Sequence, residues 1–343
     1  MTYTSGPTVA GDLSALHAHF ATEKPFDRRR IVIAGGGGFI GSWLCDVLLA
    51  QGAFVTCLDD MSTGLERNIG HLMREPRFKF LRRDVAKVVD FDLKCDLVYH
   101  LASHPSPEEY QIHPIETLLG SSQGTMNMLE SARKNDAVFL FASTSEVYGD
   151  AQVVPTPESY WGNVNPVGPR SCYDEGKRFG EALCLAYNRT YDLDVRILRV
   201  FNTFGPRLRA DGLYARALSR FIKQALTGAD LTVHGLGDQT RSFCYVTDTA
   251  YAFLLAAVRA EMKAQVVNVG NPNEVSILSL AERIIKITGS KSKISYRERP
   301  VDDPQRRCPD ISRAKALLSW SPQVSLDEGL SKTIKWFVAD ESR

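Results

Sequence analysis

Residues 31–52 read IVIAGGGGFIGSWLCDVLLAQG, and this stretch decides the fold. IVIA is a short apolar run rich in β-branched residues, and it enters a glycine cluster where the chain has to turn. FIGSWLCDVLLAQG then carries apolar residues at helical spacing and stops at Gly52. Working outward, FVTCLDD (54–60), FKFL (78–81), DLVYHLA (96–102), VFLFAS (138–143) and VRILRVFN (195–202) read as further strands, with helix-length segments such as GTMNMLESARKN between them. Strands alternating with helices predict a parallel sheet covered on both faces.

The expected class is therefore α/β, a Rossmann-type doubly wound sheet. From about residue 204 the regularity falls, which predicts a smaller mixed α/β lobe. The expected organisation is a polar, flexible leader at 1–27, a dinucleotide-binding unit at 28–203 to which 236–268 returns, and a substrate-binding lobe from 204–235 and 269–343.

The 343 residues are 44% apolar and 24% charged, the composition of an ordinary globular protein. A formal net charge of +1 supplies no global attraction to nucleic acid or a membrane surface, so anion recognition has to be local. Seven scattered cysteines without CxxC spacing argue against a disulfide framework or a metal site and for a reducing, cytoplasmic setting. The first residues lack the basic start and apolar core of a signal peptide, and no run reaches the length of a membrane span.

Gly35, Gly38 and Gly41 stand at GxxGxxG spacing between the first strand and helix. Glycine there lets the backbone approach a pyrophosphate whose charge the helix N-terminus meets; glycine clusters also occur in structural turns. Asp59, ending the second strand 18 residues after Gly41, is placed to hold the adenine ribose hydroxyls of NAD and to repel a 2′-phosphate. Asp60 shares that role or is solvated.

Tyr173 and Lys177, in SCYDEGKR, are four apart on a helical pattern and face the same way. A lysine ammonium near a phenol favours the phenolate, which makes the pair a candidate base; one more Tyr and Lys on a helix is the bland reading. Thr144, at the end of the strand FAST, supplies a hydroxyl where Rossmann-type sites form. Two residues on, in FASTSEVYG (141–149), Glu146 follows an apolar strand, so it either turns to solvent or faces a pocket.

These residues resemble the extended short-chain dehydrogenase/reductase family and, within it, the UDP-glucuronic acid decarboxylases. GGGGFIGSWL, YHLAS, STSEVYGD, YWGNVNPVGPRSCYDEGKR, FNTFGPR, GDQTRSFCYV and DDPQRRCPDISRAK carry the resemblance. It implies NAD contacts from Gly35, Gly38, Phe39, Ile40 and Gly41, from Asp59, Asp60, Thr63 and Gly64, from Asp84 and Val85, and from Leu101, Ala102 and Ser103, with Tyr173 and Lys177 shared. It implies a UDP-sugar held by Tyr110, Asn202, Arg207, Arg216, Arg241, Tyr245 and Arg307. Tyr173, Lys177 and Thr144 would oxidise C4, Glu146 with Ser145 would act near C5, and Arg307 would handle the substrate carboxylate. A homodimer through a four-helix bundle, from TMNMLESARK and GKRFGEALCLAY, is implied as well.

His104 and Pro105 stand where the family usually has Pro and Ala, and Ser121 replaces its asparagine. A single loop histidine is more often a bystander than a catalyst. The alternatives are a UDP-glucuronate 4-epimerase or another nucleotide-sugar epimerase or dehydratase. An epimerase needs no acid beside C5, and the dehydratase motif has an Asp where Ser145 stands. A non-catalytic NAD-binding protein is the remaining class.

Overall fold

The computed structural model describes residues 6–87, 93–300 and 302–341. Its central sheet contains β1 (Arg30–Ala34), β2 (Phe54–Asp59), β3 (Phe78–Arg82), β4 (Leu97–His100), β5 (Val138–Thr144), β6 (Val195–Val200) and a strand at Val266–Val269. All pairings are parallel, in the order β3, β2, β1, β4, β5, β6 and Val266–Val269. β4 is buried along its whole length and β1 from Ile31 onward, which demands helices on both faces. The direction of strand progression reverses between β1 and β4. Their C-terminal ends bring Gly35 beside Leu101 and Ala102, and a cleft opens there.

Beyond the sheet, Leu231–His234 pairs with Ile294–Arg297, while Glu274–Ser276, Thr240–Ser242 and Arg306–Arg307 form a three-stranded sheet. Residues 236–268 are thus divided. Val246–Val258 and Val266–Val269 lie with the main sheet, whereas Thr240–Ser242 carries Arg241 to the side of Arg307.

The expectation of a flexible leader is corrected over its described part. Pro7–Ala18 is a helix, α1, and Val9, Leu13, Leu16 and Phe20 are all buried. Their spacing of four, three and four is a helical stripe, which the polar residues around it conceal in any average over the segment. α1 covers α2 (Phe39–Ala50), which is buried without interruption from Gly41 to Leu49. A second correction follows from the same packing. Tyr245 is no substrate contact: its ring is fully buried and its hydroxyl donates to Asp12 Oδ2 of α1 at 2.6 Å. Lys332 Nζ donates to the other oxygen of Asp12 at 3.0 Å.

If α1 is core, Leu13→Ala will cost about 2–5 kcal/mol of stability in urea unfolding. A loss below about 0.5 kcal/mol is what an exposed leader predicts.

Candidate active site

The cleft has a volume of about 880 Å³ and runs from the glycine turn to Arg241 and Arg307. At its first end Gly35 has φ +85°, and a Cβ there would meet the Ala102 nitrogen at 2.7 Å. A Cβ on Gly41 would come within 2.1 Å of the Gly35 carbonyl oxygen. The turn therefore closes so tightly that only hydrogen fits at both positions. Asp59 Oδ2 accepts from the Gly37 N–H and Oδ1 from the Met61 N–H, both at 2.8 Å. Burial pushes its carboxyl pKa up against those bonds. Each oxygen keeps a lone pair for a ribose hydroxyl, so cradle and acid together fit NAD. Phe39, Ile40, Asp60, Thr63, Asp84, Val85, Leu101 and Ser103 share this wall. Gly64 instead backs the Asp59 carboxylate, where a Cβ would fall 2.8 Å from Oδ1.

In the middle of the cleft, β5 delivers Thr144 and the helix Ser171–Tyr191 delivers Tyr173 and Lys177. Lys177 Nζ donates to the Ala142 carbonyl at 2.9 Å and lies 5.9 Å from the Tyr173 ring centre. Burial lowers its pKa to about 8. Burial raises the Tyr173 phenol to about 12, opposed by Arg216 and by a hydrogen bond with Thr144. The Arg216 charge thus favours the phenolate, and its guanidinium also donates to the Pro105 carbonyl at 3.1 Å.

Tyr110 is moved back from the cleft wall. It stacks behind Tyr173, with ring centres 5.2 Å apart and planes within 2°. Ser121 lies below, against Gly176.

At the far end stands Glu146, in the tight turn Ser145–Tyr148. Its Oε1 and Oε2 accept from Arg307 Nη1 and Nη2 at 2.6 Å each, and Oε2 also accepts from Arg170 Nη2 at 2.6 Å. Burial disfavours the charge, but the two guanidinia outweigh it and hold the pKa at about 2. The carboxylate that follows the apolar strand therefore faces the cleft, ionised.

Arg170 is the functional candidate that sequence reasoning passed over. It lies in the same PRSCYDEGKR block, four residues before Asp174, and Asp174 Oδ2 is 3.9 Å from its Nε. Burial, reinforced by Glu146, raises the Asp174 carboxyl to about 7. Arg241 Nη2 donates to Asp303 Oδ1 at 2.7 Å beside this group. Ser145 and Asn202 also line the cleft. Arg207 reaches the wall, but its Nη2 is 2.7 Å from the buried Asp46 carboxylate, so its charge is already balanced.

With this geometry in hand, comparison with known proteins is decisive. Residues 31–270 match the profile of the NAD dependent epimerase/dehydratase family. The chain belongs to that family. Among its relatives, UDP-glucuronic acid decarboxylase 1 of Xenopus tropicalis is 48% identical over 93% of this chain and 74% of its own length. UDP-glucuronic acid decarboxylase 3 of Arabidopsis thaliana is 45% identical over 88% of this chain and 86% of its own. In the solved structure of UDP-glucuronic acid 4-epimerase from Bacillus cereus, bound to UDP-glucuronic acid and NAD, identity is 30%, with a TM-score of 0.80 over 90% of this chain and 99% of that one. The glycine turn and the Asp59 wall are the part of this epimerase/dehydratase chain whose shape fits a dinucleotide.

Gly41→Ala is expected to destabilise the protein by about 1–3 kcal/mol in urea unfolding and to weaken NAD binding in a calorimetric titration. Unchanged NAD affinity would exclude the turn as the cradle.

Proposed function

We infer that the protein is an NAD-dependent UDP-glucuronate decarboxylase that makes UDP-xylose by C4 oxidation, loss of carbon dioxide, C5 protonation and C4 re-reduction. The observation that carries this is the Glu146–Arg307–Arg170 group, two residues beyond Thr144, in a chain 44–48% identical to decarboxylases. Three guanidinia (Arg170, Arg241, Arg307) stand against two carboxylates (Glu146, Asp303), so one positive charge remains. Asp174, with its pKa near neutrality, offsets that charge only in part. A substrate carboxylate is the natural counter-charge.

NAD, held by the glycine turn and Asp59, would supply the hydride acceptor for C4 oxidation and the donor for its re-reduction. Tyr173 takes the C4 hydroxyl proton as the phenolate, a form that burial disfavours and that Arg216, Lys177 and the positively charged ring of bound NAD+ would together favour, with Thr144 aligning the hydroxyl. The resulting β-keto acid loses carbon dioxide, and the enolate at C4 is stabilised by hydrogen bonds from Tyr173 and Thr144. A carboxyl held at about pKa 2 carries no proton near neutrality. Glu146, with Ser145 beside it, assists protonation at C5, and does so through an ordered water while both guanidinia hold it ionised. Arg307 is already engaged by Glu146 in both prongs, so a substrate carboxylate has to exchange with it or share it.

The reading extends to assembly and setting. Ile115, Leu118, Leu119, Met126 and Phe179 are exposed on the helices Pro114–Leu119, Thr125–Lys134 and Ser171–Tyr191, which supports a homodimer through these helices. Seven unpaired cysteines fit a reducing, cytoplasmic compartment. No helix among the described residues is long and apolar enough to cross a membrane.

Given UDP-glucuronate, the protein should release carbon dioxide and UDP-xylose with no net NADH; a product of unchanged mass and inverted C4 would make it an epimerase. Tyr173→Phe should lower kcat about 10²–10⁴-fold, and a fully active variant removes Tyr173 from the base role. In single-turnover absorbance, Glu146→Gln should still form NADH but should slow its reoxidation, because decarboxylation or reprotonation at C5 is impaired, and wild-type rates of both would dismiss its role at C5.

A further inference from the structure

His104, one of the positions at which the sequence departs from the pattern it resembles, has defined partners in the structure. It follows Ser103 on the cofactor wall and lines the same cleft. Its Nδ1 lies 2.7 Å from Glu109 Oε1 of the helix Pro107–Ile112, an ion-pair distance without hydrogen-bond alignment. Glu109 is 2% exposed, and its second oxygen is buried without a hydrogen-bond partner. A carboxylate so enclosed needs a cation, and the imidazolium is the one it touches. That leaves the Nε2–H with a single weak contact, 3.4 Å from Ser62 Oγ.

Ser62 sits between Asp60 and Thr63 and is anchored to Asp60 Oδ1 at 2.6 Å. The donor of His104 therefore opens onto the wall that carries the ribose acid. The surrounding loops meet across the cleft: Tyr214 donates to the Ser62 carbonyl at 3.3 Å, Arg209 to Thr63 at 3.1 Å and Arg216 to Pro105 at 3.1 Å.

We propose that His104, held by Glu109, is a cofactor-retention residue whose Nε2–H donates to the anionic dinucleotide from the wall it shares with Ser62 and Ser103. The inference rests on the reading that this cleft takes NAD. The groups facing the imidazole are Glu109, Asp60 and Glu116, with the His113 ring edge-on at 6.5 Å. Burial works against protonation, but Glu109 first, then Asp60 and Glu116, outweigh it, and the pKa lies above the ordinary 6.5. With the folded pKa raised, the contact is complete below pH 6.5 and is lost as pH rises through the raised value.

The test is a calorimetric titration of the full chain with NAD+ between about pH 6 and about pH 9, for wild type, His104→Gln and Glu109→Gln. Wild-type Kd should rise about tenfold across this range, the scale of one charge-assisted hydrogen bond. His104→Gln should bind about tenfold more weakly at the acid end and show a flat profile. Glu109→Gln should keep the rise with its midpoint moved to lower pH, a shift that a merely structural role would not produce. Should Glu109→Gln fail to fold, the partly exposed His104→Gln decides alone. A His104→Gln profile superimposed on wild type overturns the proposal while leaving the enzyme reading intact. Absence of NAD binding in all three proteins overturns both, beginning with the identity of the cleft.

Discussion

The bidentate pairing of Arg307 with Glu146, completed by Arg170, is the interaction around which the working half of the molecule is arranged. It joins three elements distant in the chain: the turn after β5, the start of the helix Ser171–Tyr191, and the short strand Arg306–Arg307. A buried ion pair contributes little net stability, because desolvation consumes most of the Coulomb gain, yet removing one partner strands a charge and is severe. Its value here is positional. It holds a carboxylate and two guanidinia within reach of the strand end that carries Thr144.

The opposite half depends on steric closeness instead of charge. The Gly35 carbonyl leaves no room for a side chain at Gly41, and the Asp59 carboxylate is tied to the same turn by the Gly37 N–H. Between the two halves, Tyr173 is sandwiched by Tyr110 behind and Arg216 beside it. The stacked ring restricts the phenol to one orientation, and the guanidinium partly offsets the cost of burying its anion. The parallel sheet presents the glycine turn and Thr144 at its strand ends, while Tyr173 comes from the helix Ser171–Tyr191 and Arg307 from the separate three-stranded sheet.

Much of this was legible in the chain. Apolar runs between glycine, proline and polar breaks located the strands, since a sheet buried on both faces admits little else. Asp59, Thr144, Tyr173 and Lys177 could be singled out because each follows a strand or shares a helix face. The leader, Tyr110 and Tyr245 were misplaced for one reason. The α1 stripe and the withdrawal of both tyrosines from the cleft, like the pairing of Arg207 with Asp46 at the cleft wall, depend on what packs alongside, and a linear pattern does not specify a neighbour from a distant segment.

By itself the sequence determined the order of strands and helices, the glycine turn with its acid, and the residue types available for chemistry. These are set by local sterics and periodicity, which act over a few residues. Only the tertiary structure decided the ionisation of Glu146, the part played by Arg170, the rise of Asp174 toward neutrality and the contact of His104 with Glu109. Protonation and pairing in an enclosed site follow from which charges are brought within a few ångströms and how much water is excluded, and both are properties of the folded chain.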